Sequence, residues 1–84
     1  LKDFTLSVTY LNPEKSTVGH QHPYEEGYYI AGGFGKMQIG EALGEISAGD
    51  FITVPENTFH RVFNEGIMSL TFICAWRKKC LTLC

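Results

Sequence analysis

The 84-residue chain is 44% hydrophobic, 13% aromatic and 19% charged, with seven Lys and Arg against nine Asp and Glu. One domain with a single core fits this length, and so short a chain buries only about 60 to 65% of its unfolded surface, so that a disulfide, a metal or a subunit contact is the usual reinforcement. The charge balance gives no electrostatic footprint for nucleic acid, and no apolar run approaches the length of a membrane span.

Period-two alternation opens the chain, with Phe4, Leu6, Val8 and Tyr10 on one face and Thr5, Ser7 and Thr9 on the other, which reads as a strand whose apolar face is buried. Asn12-Pro13-Glu14 is turn chemistry, and residues 16–22 follow as a second candidate strand. A third runs through Tyr28-Tyr29-Ile30-Ala31 and is stopped by Gly32-Gly33. These glycines lack the spacing of a phosphate loop and read instead as a tight hairpin. Residues 34–39 and 45–47 flank a five-residue glycine-bounded loop, Gly40 to Gly44, as a second hairpin. Gly49-Asp50 then turns the chain into the strand Phe51 to Val54, Pro55-Glu56-Asn57 ends it, and Phe59 to Phe63 begins the next. The last strand places Met68, Leu70, Phe72, Cys74 and Trp76 on one face. About eight short strands at this spacing, with no helical period, predict an all-β sandwich or barrel.

The inward parity of these strands is predicted to collect Tyr28, Ile30, Met37, Ile39, Ile52, Val54, Val62, Phe72, Cys74 and Trp76 around one interior. No Lys or Arg shares it. The three cysteines, Cys74, Cys80 and Cys84, are an odd number, and a secreted disulfide scaffold is not indicated. Cys74 reads as a small buried hydrophobe, and Cys80 and Cys84 as free thiols on the chain end beside the basic run Arg77-Lys78-Lys79. No signal peptide is visible, although the chain starts at Leu1 without an initiator Met. The expected setting is the reducing cytoplasm.

His20 and His22 are two residues apart, which in a strand puts both imidazoles on one face with Cα atoms about 6.6 Å apart. Glu26 follows four residues later, and six residues separate it from Gly33. A second block runs Gly49, Pro55, Asn57, His60 and Asn64, with intervals of five, one, two and three residues. Together these resemble the paired motifs of the cupin superfamily, G-x5-H-x-H-x3-E-x6-G and G-x5-P-x-G-x2-H-x3-N. Eight of the ten fixed positions match, and the departures are Glu14 and Asn57, each standing where the motif has glycine. Asn tolerates a left-handed backbone best after Gly, so the second departure is mild, whereas the first is expected to alter the turn before the histidines.

The resemblance implies a double-stranded β-helix, or jelly-roll barrel, over a single domain of residues 1–84, with the first motif at about 20–33 and the second at about 49–64. It also implies that His20, His22, Glu26 and His60 bind one divalent transition metal, of which Fe, Mn, Ni and Zn are the candidates. Three imidazoles and a carboxylate suit such an ion and leave positions for water, oxygen or a chelating molecule. Glu25 falls on the outward parity. Tyr28 is the candidate catalytic residue, its phenol a donor or general acid toward an ion-bound oxygen. The expected function is therefore a metal-dependent enzyme of oxygenase, isomerase or lyase type acting on a small chelating organic molecule. The alternative is a non-catalytic binding or sensor module with a structural metal. Its partners would be a small molecule and a second copy of the chain in a homodimer through the first strand, not nucleic acid or a membrane.

Overall fold

The first strand settles which way the chain faces. In the computed structural model, which describes residues 4–77, β1 (Phe4–Leu11) pairs antiparallel with the last strand, yet Leu6, Val8 and Tyr10 are 62%, 53% and 71% exposed. The expected orientation is reversed: Ser7 and Thr9 point between the sheets and the apolar face looks outward. Alternation reports two unlike faces without saying which one the fold covers.

Seven strands are present among the described residues, with no helix. After β1 they are β2 (Glu26–Gly32), β3 (Phe34–Ile39), β4 (Ala42–Ser47), β5 (Phe51–Val54), β6 (His60–Phe63) and β7 (Leu70–Arg77). They form two antiparallel sheets, one in the order β1-β7-β2-β5 and the other β4-β3-β6. Between them lies the core of Tyr28, Ile30, Met37, Val54, Val62, Leu70, Phe72 and Cys74, with Ile39, Ile52 and Trp76 half-buried against it. Of the ten residues expected on the inward parity, seven belong to this cluster and the other three, Ile39, Ile52 and Trp76, pack against it. Met68 does not join them: it is exposed and precedes β7.

Two turns and one expected strand differ from expectation. Gly32-Gly33 makes no hairpin, because β2 and β3 belong to different sheets. Gly33 is the corner where the chain changes sheet, with φ at 86°. A Cβ there would lie 2.6 Å from the Ser69 carbonyl oxygen, so only glycine fits. The loop between β3 and β4 is two residues, Gly40-Glu41, since Ile39 and Ala42 are register partners. Gly40 takes φ 59° and Glu41 is not left-handed, the pattern of a tight primed turn with glycine first. Residues 16–22 form no continuous strand, and their ladder pairing with β6 is limited to the bridges Ser16 to Phe63 and His20 to His60. Between the bridges Val62 N donates to the Thr17 hydroxyl at 3.0 Å, a side chain standing where a ladder carbonyl would be. Arg61 fastens the same segment from outside, donating to Thr17 O at 2.9 Å and Ser16 Oγ at 2.8 Å.

Asn64 closes the corner before β7. Its buried amide donates to Leu11 O and Met68 O, both at 2.8 Å, and its carbonyl oxygen accepts from Gly66 N at 2.9 Å. The backbone carbonyl of Asn64 accepts from Glu14 N at 3.0 Å. Glu14 and Asn57, the two residues standing in for motif glycines, are the non-glycine residues with positive φ among those described, at 65° and 57°. The turn before the histidines is therefore not altered by Glu14, which takes the glycine-like conformation at a steric cost of about 1 kcal/mol. Glu14→Gly should raise the melting temperature by up to about 4 °C, the relief of strain less the added flexibility of the unfolded chain. Glu14→Ala, equally strained, should give no such rise in the same thermal scans.

Candidate metal centre

Two sheets that change places at glycine corners bring the two sequence blocks face to face. Alternation along β2 turns Glu26, Tyr28 and Ile30 inward and leaves Glu25 exposed, while His60 and Val62 point inward from β6 on the opposite sheet. Asn57 N donates to the backbone carbonyl of His22, so the left-handed turn of the second block holds the first block's histidine. His22 Nε2, Glu26 Oε1 and His60 Nε2 then form one group whose donor atoms lie within 4.8 Å of one another.

The Glu26–His60 contact is the informative one. Oε1 and Nε2 are 3.0 Å apart and both residues are buried, but neither atom has a hydrogen-bond partner. At the other side of the ring His60 Nδ1 lies 3.1 Å from Thr58 O. A carbonyl can only accept, so Nδ1 carries a proton, and in the neutral ring Nε2 presents its lone pair to the carboxylate. Two lone pairs facing each other in a buried site are unfavourable unless a proton or a metal cation lies between them. A first-row ion with bonds of about 2.1 Å to two donors at right angles would hold them about 3.0 Å apart, and at a tetrahedral angle about 3.4 Å apart. The observed separations from Glu26 Oε1 are 3.0 Å to His60 and 3.4 Å to His22. Both separations suit a divalent ion, which the three residues could hold.

His20 stands outside this group of three. Its exposed ring stacks on His22 at 5.5 Å between centroids, inclined by 17°, and lies 6.3 Å from the His60 ring. Its backbone exchanges two hydrogen bonds with His60, at 3.0 and 2.9 Å. Bridge pairing with β6, rather than strand alternation, therefore sets the two neighbouring histidines side by side.

A cavity of about 270 Å³ opens over the donors. One wall is aromatic: the Tyr24 ring lies 4.9 Å from His22 and edge-on to Trp76 at 6.2 Å, and Tyr28 stands edge-on to His60 at 5.8 Å. The other wall carries the hydroxyls of Ser7, Thr9 and Thr17. Sequence reading missed Ser7 and Thr9 because it turned β1 the other way; their alternation with apolar residues was the available signal. Burial, reinforced by the adjacent Cys74 and Glu26, pushes the Tyr28 phenol well above its usual range. Burial likewise pushes the Cys74 thiol up to about 11, against hydrogen bonds with Tyr28 and Ser7 that pull it down. Both hold their protons at neutral pH. Tyr28 is thereby a hydrogen-bond donor rather than a base, and Cys74 is not a nucleophile.

Residues 7–76 match the family model described as Cupin domain. The chain belongs to the cupin family. Among solved structures, it superposes with a TM-score of 0.86 on a protein from Photorhabdus luminescens, at 23% identity over 93% of this chain and 65% of that one. A cupin protein from Bacteroides fragilis gives 0.86 at 22% identity, over 99% and 72% of the two chains. A Thermotoga maritima protein described as a predicted oxalate decarboxylase gives 0.84 at 27% identity, over 88% and 65%. In sequence the chain is 37% identical over 59 residues to an uncharacterized protein of Methanocaldococcus jannaschii, covering 69% of this cupin but 47% of that protein. The chain thus spans about half the length of that curated relative.

Proposed function

We propose that this cupin is a metal-dependent enzyme acting on a small chelating organic molecule, with His22, Glu26 and His60, joined by His20, holding one divalent transition ion. The observation that carries the reading is the buried Glu26–His60 pair, whose facing donor atoms have no hydrogen bond and need a proton or a metal cation between them. Bound there, such an ion would supply Lewis acidity, and a redox-active one oxygen chemistry as well. Tyr28 would keep its proton and donate it as a hydrogen bond to a ligand oxygen above the site, while the aromatic wall excludes water from one side. The neighbouring Thermotoga fold, described as a predicted oxalate decarboxylase, agrees with a small chelating substrate in kind. The competing binding-module reading draws on the same cavity, whose described lining offers no imidazole or carboxylate outside the four proposed ligands.

Metal analysis with chelation tests this. The purified protein should carry close to one equivalent of divalent metal, and chelation should lower its melting temperature. Because each imidazole must be deprotonated to ligate, the stability added by metal is present above the usual histidine range and lost as pH falls through and below about 6.5. His60→Ala and Glu26→Gln should abolish uptake, and His20→Ala should weaken it less. Metal uptake unchanged in His60→Ala would defeat the assignment.

The same proposal includes a homodimer. Val8, Ile73, Tyr29 and Phe51 are successive register partners across all four strands of one sheet, and they make an outward apolar row in which Val8, Tyr29 and Phe51 are exposed. Stacking this face on a second copy would cover it. Sedimentation equilibrium should show twice 9.4 kDa for the wild type and a monomer for Val8→Glu, a substitution on the solvent side that leaves the fold intact.

A further inference from the structure

The cavity's charge is unusual for a site that would take organic acids. Among the described residues the cations are Lys15, Lys36, Arg61 and Arg77, and none of them lines it. Lys36 pairs with Glu65 at 3.4 Å on the surface, and Arg61 is committed to Ser16, Thr17 and the face of Phe63. Glu26 is the cavity's sole carboxylate. With a divalent ion, one carboxylate and neutral imidazoles, the centre carries a net charge of about +1 before any ligand arrives. A ligand with one negative charge neutralises it. A dicarboxylate leaves an unpaired negative charge beside the buried Glu26, with no cation among the cavity's described lining residues, Ser7 and Thr9 included, to offset it, and an unpaired charge there is costly.

Size narrows the class further. A volume of about 270 Å³ corresponds to about nine water molecules at the liquid value of ~30 Å³ each. The aromatic wall of Tyr24 and Trp76 suits a flat ring against it.

We infer that the site selects small, flat, bidentate ligands carrying a single negative charge, of the hydroxy-ketone or enol type, and discriminates against dicarboxylates, with Ser7 and Thr9 as the neutral residues that set this preference. This rests on the metal reading above. It separates the chain from the oxalate chemistry named for its Thermotoga structural neighbour.

Cobalt(II)-loaded protein tests it, because the absorption of the bound ion reports both formation of a ternary complex and retention of the metal. Maltol, a singly charged hydroxypyranone chelator, and oxalate are titrated separately, and each affinity is divided by that ligand's affinity for free cobalt(II). The ratio should be at least tenfold higher for maltol. Thr9→Lys, or Ser7→Lys if the first variant does not load cobalt, should raise the oxalate ratio at least tenfold and leave the maltol ratio within about twofold. Equal ratios in the wild type, or a lysine variant that loads cobalt and leaves oxalate unimproved, would overturn the inference while leaving the metal site standing. Failure of the wild type to take up cobalt would overturn both.

Discussion

Everything in this barrel converges on one contact between sheets, in which the Glu26 carboxylate and the His60 imidazole face each other at 3.0 Å without a hydrogen bond. The Thr58 carbonyl fixes the neutral tautomer that makes the contact unfavourable without a proton or a metal cation between the two. Such an arrangement would store affinity for an ion: the polar groups are buried and oriented beforehand, so little reorganisation would oppose binding. It would also tie metal to folding. Glu26 belongs to β2 in one sheet and His60 to β6 in the other, so an ion held by both would join the two layers of a chain too short to have a large core.

The turns serve that contact. Glu14 N reaches the carbonyl of Asn64, and Asn57 N reaches that of His22, so each left-handed residue links the first sequence block to the second. The motif positions that carry no chemistry are thereby the ones that register the two blocks. Asn64 does the same with its side chain, drawing together Leu11 on β1 and the Met68 turn before β7. What the family pattern conserves as glycine is a backbone conformation, and Glu14 shows that a residue with a Cβ can adopt it.

Much of this was legible in the sequence, for identifiable reasons. The bounds of β3 and β5 and the inward parity of β2 followed from alternation punctuated by glycine and proline. The spacing of His22, Glu26 and His60 carried the site. Local pattern could not orient β1, because burial of one face is decided by the opposite sheet and not by the strand itself. It could not show that Gly33 changes sheets rather than reversing the chain, since both demand positive φ. Residues 16–22 looked like a strand because their composition suits one, but Thr17 offers its hydroxyl to Val62 and breaks the ladder. The readings of Cys80 and Cys84 lie outside the described residues.

The most direct measurement is anomalous diffraction at the zinc edge from crystals of zinc-loaded protein. The account predicts one strong peak within about 2.3 Å of His22 Nε2, Glu26 Oε1 and His60 Nε2. Full zinc occupancy at surface sites with no peak between Glu26 and His60 would contradict it.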